Sequence, residues 1–301
     1  MTRALMPVVV AGVAIAAVSA AGLKVVRTYQ RYSGEEGLAV GFGSVWTGSA
    51  DSGDSVARTD IATGQSRSIH APIDEDTSLF AGPDAVWQTD FGHGIVRRID
   101  PASNKVRSRA GLAGPAGMAF AGRDVFVALH HGQAVAEIDS KTLKTIHTFR
   151  LPAPGGGVVA NGPSDVAITP GSLWVDAANL NATYRIALNG GRIQARLPRC
   201  AGPFVATAAA VWASCAGKLA RIDVRTNTVH PTAAAGGLPA ALGTSIWVAG
   251  TSAITQVAAK TGAVVSKQRF SGDFFQDLVA AGGRLWAFDA NNVRVIELQP
   301  S

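Results

Sequence analysis

Six tryptophans stand at positions 46, 87, 174, 212, 247 and 286, each inside a similar phrase: GSVWTGS, DAVWQTD, GSLWVDA, AAVWASC, TSIWVAG and GRLWAFD. A phrase that returns at a fixed period constrains the fold strongly, because every copy must build the same supersecondary unit. The gap between Trp87 and Trp174 is about twice the others, and RDVFVAL fills it with Phe126 in the tryptophan's place. A second phrase follows each aromatic: SVARTDIATGQ, GIVRRIDPASNK, AVAEIDSKTLK, ATYRIALNGGR, KLARIDVRTNT, AITQVAAKTGA and NVRVIELQPS. Polar and apolar residues alternate in these phrases, several of which run into a turn at an Asp. Alternation at period two, broken by Gly, Asn and Asp, is the pattern of β-strands.

Each copy reads as an inner strand, an aromatic strand, an R-I-D strand and an outer strand. In the third copy these fall at about 117–120, 125–129, 134–138 and 145–151. Four short antiparallel strands per ~40 residues predict a propeller blade. The expected fold is all-β, a seven-bladed β-propeller of four-stranded antiparallel blades, preceded by an N-terminal signal or anchor helix. The last copy ends after its third strand, at Pro300, while 24–32, KVVRTYQRY, has strand composition and no inner strand before it. That stretch is expected to close the last blade.

The N-terminus follows export logic. A short basic start, Met1 to Arg3, precedes an uncharged run over 4–23, ALMPVVVAGVAIAAVSAAGL. A basic n-region, an apolar h-region and small residues at a cleavage site make a secretory signal. A run of this length also suffices for a membrane anchor. The domain reading is therefore 1–22 as signal peptide or membrane anchor and 23–301 as propeller. It makes the protein exported and extracytoplasmic, either secreted or associated with a membrane through 4–23. Hydrophobic residues make up 47% and charged residues 16%, which excludes a wholly disordered chain. The net charge of +6 permits acidic partners, yet the basic side chains are scattered over third and fourth strands, including Arg58, Arg97, Arg107, Arg185 and Arg221. No aromatic–basic patch stands out, so nucleic acid is not an expected partner.

VWQTDFGHGIVRRIDPASNKV and VFVALHHGQAVAEIDSKTLKTI resemble the YVTN/NHL-type propeller superfamily, over about residues 24–300. That group includes the streptogramin lyases (virginiamycin B lyase). The resemblance implies the fold; its shared residues build blades and do not specify an activity. The lyases use His and Glu with Mg²⁺ supplied largely by later blades. Residues 239–301 hold no His, and Glu297 is their only Glu, so the catalytic pattern is not matched. No G-x-S-x-G nucleophile elbow is present either.

In a propeller, the loops from strand two to three and from strand four to the next strand one share a face. Those loops carry Glu35, Glu36, Asp74, Glu75, Asp76, Asp165, Asp273 and Asp277, and also Asp51, Asp54, Asp90, His93, His130, His131, Asp176, Asn179, Asp289, Asn291 and Asn292. From these the expected ligand-binding face is Asp74, Asp90, His93, His130, His131, Asp176, Asn179 and Asp289. Such a face suits a cationic ligand or a hard divalent cation such as Mg²⁺ or Ca²⁺. Asp165, Asn161, Asp176 and Asn179 also offer the donor chemistry of a lactonase metal site. The competing reading makes these Asp and Asn ordinary turn residues.

Cys200 and Cys215 flank RCAGPFVATAAAVWASC in the fifth copy. A hairpin folded about Thr207 and Ala208 would set them opposite one another, within reach of a disulfide in an oxidising compartment. The Gly/Pro-rich stretch 151–165 reads as a lid or contact loop, and Asn181-Ala182-Thr183 fits the N-glycosylation pattern. The expected function is a monomeric binding or scaffold module that takes a protein, peptide or small-molecule ligand at the propeller face. The alternative is a divalent-cation-dependent lyase or lactonase.

Overall fold

The computed structural model describes residues 22–30, 37–49, 55–72, 77–152 and 162–301. These residues form seven four-stranded antiparallel sheets. The inner strands of successive sheets pack side by side, and that of the seventh meets that of the first, so the sheets close into a ring. Six blades run from inner to outer strand in chain order. The seventh takes Phe275–Ala281, Arg284–Asp289 and Arg294–Pro300 from the end of the chain and Leu23–Gln30 from its start.

The periodic aromatics explain why the sheets stack. Trp46, Trp87, Trp174, Trp212, Trp247, Trp286 and Phe126 are all at most 2% exposed. Each projects into the following blade. Trp46 packs with Leu79 and Ile99 of blade two, Phe126 with Leu173 and Ile186 of blade four, and Trp212 with Ile246 and Val257 of blade six. Trp286 closes the cycle against Val40 and Val45 of blade one. The hydrophobic core is thus seven wedges between neighbouring sheets. A single blade could not bury either face alone. Third-strand arginines cover two of the wedges. The Arg58 guanidinium lies 4.8 Å from the Trp46 ring centre and that of Arg185 5.2 Å from Trp174. Arg58 also donates to Asn104 Oδ1 (2.8 Å) and Arg185 to Asn227 Oδ1 (2.8 Å), each in the next blade.

The Asp that ends the R-I-D phrase organises a turn. Asp60 accepts the N–H and hydroxyl of Thr63, Asp100 those of Ser103, and Asp223 those of Thr226. At Asp60 the Thr63 N–H is the main influence holding the carboxyl below its ordinary pKa. This is the structural use of Asp at turns, and it falls on the face opposite the expected site.

Leu23–Gln30 pairs antiparallel with Arg294–Pro300, Leu23 opposite Pro300. Tyr29 sits 5.8 Å from Trp286 and donates its hydroxyl to Glu297 Oε2 (3.3 Å). Glu297 also pairs with Arg284. The side-chain amide of Gln268, on the outer strand of blade six, accepts from Leu23 N–H and donates to Leu23 O. The strand expected at 24–32 is therefore the outer strand of blade seven, over Leu23–Gln30. The expected N-terminal signal or anchor helix at 1–22 lies, apart from Gly22, outside the described residues. Among the described residues the one helix is a 3₁₀ turn, Ala178–Leu180, and none is long and apolar enough to cross a membrane.

Candidate functional site

The inner strands of all seven blades converge on a cavity of about 660 Å³ at one end of the central channel. This is the end where inner strands begin, hence the face of the second-to-third and outer-to-inner loops. Its wall is mixed, with Leu38, Phe80, Phe91, Met118 and Phe204 beside Thr77, Ser78, Ser164 and Gln276 among the lining residues. Two carboxylates, Asp165 and Asp277, enter the same wall.

These two occupy equivalent positions. Asp165 lies two residues before Ala167, the register partner of Trp174, and Asp277 two before Val279, the partner of Trp286. The strand register shifts at both places. Each carboxylate reaches the next inner strand. Asp165 Oδ2 accepts Phe204 N–H of blade five at 2.7 Å, and Asp277 Oδ2 accepts Leu38 N–H of blade one at 3.1 Å. Asp277 Oδ1 also takes its neighbour Leu278 N–H at 2.8 Å. The two blades that carry them are three apart in a ring of seven, so the carboxylates stand on nearly opposite sides of the channel.

Both carboxyls are deep among protein atoms while keeping an edge on the cavity. Burial raises Asp165 to about 7, against the N–H bonds of Phe204 and Val166 and with a contribution from Asp176. Burial raises Asp277 to about 6, against the N–H bonds of Leu278 and Leu38. The space around Asp165 depends on glycine. A Cβ on Gly117 would stand 2.5 Å from Asp165 Oδ1, and one on Gly202 3.0 Å from its Cβ.

Asp176 stands behind this wall. It is 3% exposed, its Oδ2 accepts the Ser164 hydroxyl at 2.6 Å, the Gly202 N–H also favours its ionised form, and its Oδ1 meets no close donor among the described residues. Burial raises its pKa as well. His130 and His131 meet beside it, their rings 5.6 Å apart and 5.3 and 4.8 Å from Phe91 of blade two. Burial, with the charge of His131 adding, holds His130 below its ordinary pKa, so it is neutral at pH 7.

The other expected site residues that are described, Asp90, His93, Asn179 and Asp289, all make hydrogen bonds with protein groups. Asp90 is fully buried and accepts from Arg97 at 2.8 Å. Its Oδ1 lies 2.8 Å from His93 Nδ1, and His93 turns to its own blade instead of joining the other two histidines. Asp289 accepts from Arg294 (2.9 Å), Asn292 (2.7 Å) and Phe274 N–H (2.9 Å). Burial works against ionisation of Asp289, yet these bonds prevail and keep its carboxyl below the ordinary value. Asn179 exchanges amide bonds with Gln133. Asp74, with Glu35, Glu36, Asp51, Asp54, Glu75, Asp76 and Asn161, lies outside the described residues. Among the described residues no three His, Cys, Asp or Glu groups come together to hold a metal ion. The described part of the donor set thus does not by itself match the Mg²⁺ that the lyase resemblance implies or the Ca²⁺ that a carboxylate face could take.

Asp165 and Asp277, expected in outer-to-inner loops, stand instead on the inner strands Pro163–Thr169 and Phe275–Ala281. Each stands directly before an apolar run, D-V-A-I and D-L-V-A, where the other copies carry Gly37, Ser78, Gly117, Pro203 and Leu238.

Cys200 and Cys215 are register partners and form a disulfide, with Cα atoms 4.0 Å apart.

No family model and no curated protein matches the chain. Among solved structures, BamB from Moraxella catarrhalis superposes with a TM-score of 0.61 over 88% of this chain and 83% of BamB, at 17% identity. The chain is similar to BamB in fold. At that identity no residue role transfers, and 1279 matching chains of solved structures show a scaffold too widely shared to select an activity.

Proposed function

We propose that the chain is an exported propeller that binds a protein, peptide or small-molecule ligand at its channel-mouth face. The carrying observation is the cavity of about 660 Å³ into which all seven inner strands project. A concave site that combines apolar wall with convergent polar groups is the usual form of a binding pocket. The Cys200–Cys215 bridge supports export, since disulfides persist in oxidising compartments. In this reading 1–22 is the signal or anchor, 23–301 is the binding module, and the module acts as a monomer.

The test is a thermal-shift screen of the protein against gluconolactone, a cyclic peptide, muramyl dipeptide, Mg²⁺ and Ca²⁺. At least one organic probe should raise Tm, and Gln276→Trp, which fills the mouth from an exposed lining position, should abolish the rise. Shifts that persist in the plugged protein would place binding elsewhere and overturn the proposal. A shift produced by Mg²⁺ or Ca²⁺ alone, and lost when His130 and His131 are both changed to Ala, would favour the lyase or lactonase reading instead.

A further inference from the structure

We infer that the channel-mouth cavity receives a protonated amine on an apolar stem, held between Asp165 and Asp277. This rests on the channel mouth being the binding face and names the chemistry it selects.

Charge is the first argument. Among the described residues no Lys, Arg or His side chain lines the cavity, and the charged side chains that do line it are Asp165 and Asp277. Around Asp165 the neighbouring groups are Ser164, the N–H groups of Phe204 and Val166, and the acid Asp176, with His130 behind it. Around Asp277 they are the N–H groups of Leu38 and Leu278. Neither carboxylate has a protein cation as partner among these groups. An ionised carboxylate kept from water without a counter-charge is costly, and both carboxyls are accordingly held well above their ordinary range.

The second argument is the unpartnered oxygen. Asp176 Oδ1 is buried without a close donor among the described residues, behind the wall that Ser164 and Asp165 form. This side of the channel holds more negative charge and acceptor capacity than the protein satisfies. The inner-strand carboxyls also make N–H bonds that an asparagine oxygen could make, so the scaffold alone does not call for the charge. Carboxyls whose ionisation is disfavoured by burial, set in the wall of a cleft, are a recurrent feature of functional sites.

The third argument is the wall. Phe91, Phe204, Met118 and Leu238 offer contact for methylenes and an aromatic face for an ammonium. The amine could be a free small molecule or a lysine side chain of a peptide.

Calorimetry of the protein at pH 8 decides the matter. Hexylamine represents the free amine, acetyl-Gly-Lys-Gly-amide the side chain, and 1-hexanol the neutral isostere. At least one amine should bind tenfold or more tightly than hexanol, and Asp165→Asn or Asp277→Asn should each remove that advantage. The amine should weaken at pH 5, where both carboxyls hold protons. Asparagine keeps the N–H acceptor, and Asp277 lies three blades from Asp165, so each variant checks the other if one folds poorly. Equal binding of amines and hexanol, or unchanged binding by both variants, would overturn the assignment. If all probes bind alike and Gln276→Trp removes them, the cation inference fails while the channel-mouth reading stands.

Discussion

At the residue scale, Asp165 shows how one side chain can serve the scaffold and strain it together. Its acceptor role ties blade four to blade five, while its charge is poorly tolerated there. Because the folded pKa of about 7 lies above the ordinary carboxylate value, the folded state binds the proton more tightly than the unfolded chain. The stabilisation from that proton is complete below about pH 4 and is lost as pH rises through about 7. Denaturant titrations of Asp165→Asn and the parent should therefore diverge with pH. The variant should gain stability relative to the parent at pH 8, and the difference should vanish near pH 4. A constant offset would contradict the assigned shift. The sequence shows that acids gather toward one face, but their separate fates depend on partners five to seven residues away on the next strand. Asp90 meets Arg97 and Asp289 meets Arg294, whereas the hydrogen bonds of Asp165 and Asp277 among the described residues come from backbone N–H groups, one from the next residue and one across the blade boundary. Spacing alone does not distinguish an acid that closes on an arginine from one that opens on a channel.

At the element scale, the wedge and the hairpin were legible for different reasons. The tryptophan period is a packing requirement written once per blade, so it survives into a count of sheets. Trp212 is fully buried and reaches into blade six. Trp212→Ala should cost about 3–5 kcal/mol, as for other fully buried tryptophans, measured by urea unfolding; a loss below about 1 kcal/mol would mean that the blades slide together to fill the gap. The disulfide was readable because hairpin symmetry pairs Cys200 with Cys215, as the register does. The register shift between Ala201 and Val205 could not be read in this way. Closing a 15-residue span, the bridge should contribute about 3 kcal/mol. The double variant Cys200→Ser, Cys215→Ser should unfold at lower urea by that amount, and intact mass should rise by two hydrogens on reduction of the parent.

At the scale of the whole molecule, the ring is closed by strands from its two ends. Leu23–Gln30 completes blade seven, Tyr29 packs on Trp286, and Gln268 holds Leu23 from blade six. Removing residues 23–30 would expose the edge of Arg294–Pro300 and leave Glu297 without Tyr29. That deletion should lower Tm sharply and promote edge-to-edge association, seen by light scattering. An unchanged melting curve would mean that the closing strand contributes little.

The same seam has a mechanical consequence. Residue 301 donates to the carbonyl of residue 22, and Leu23 faces Pro300. A load applied between these two points meets the strand pair at its open end, across its hydrogen bonds, and breaks them one after another as a zip opens. A load that pulls Leu23 along its own strand direction must shear the whole row at once. The propeller is therefore weak toward tension between its ends and strong toward tension along the seam, and single-molecule pulling in the two geometries should separate the forces.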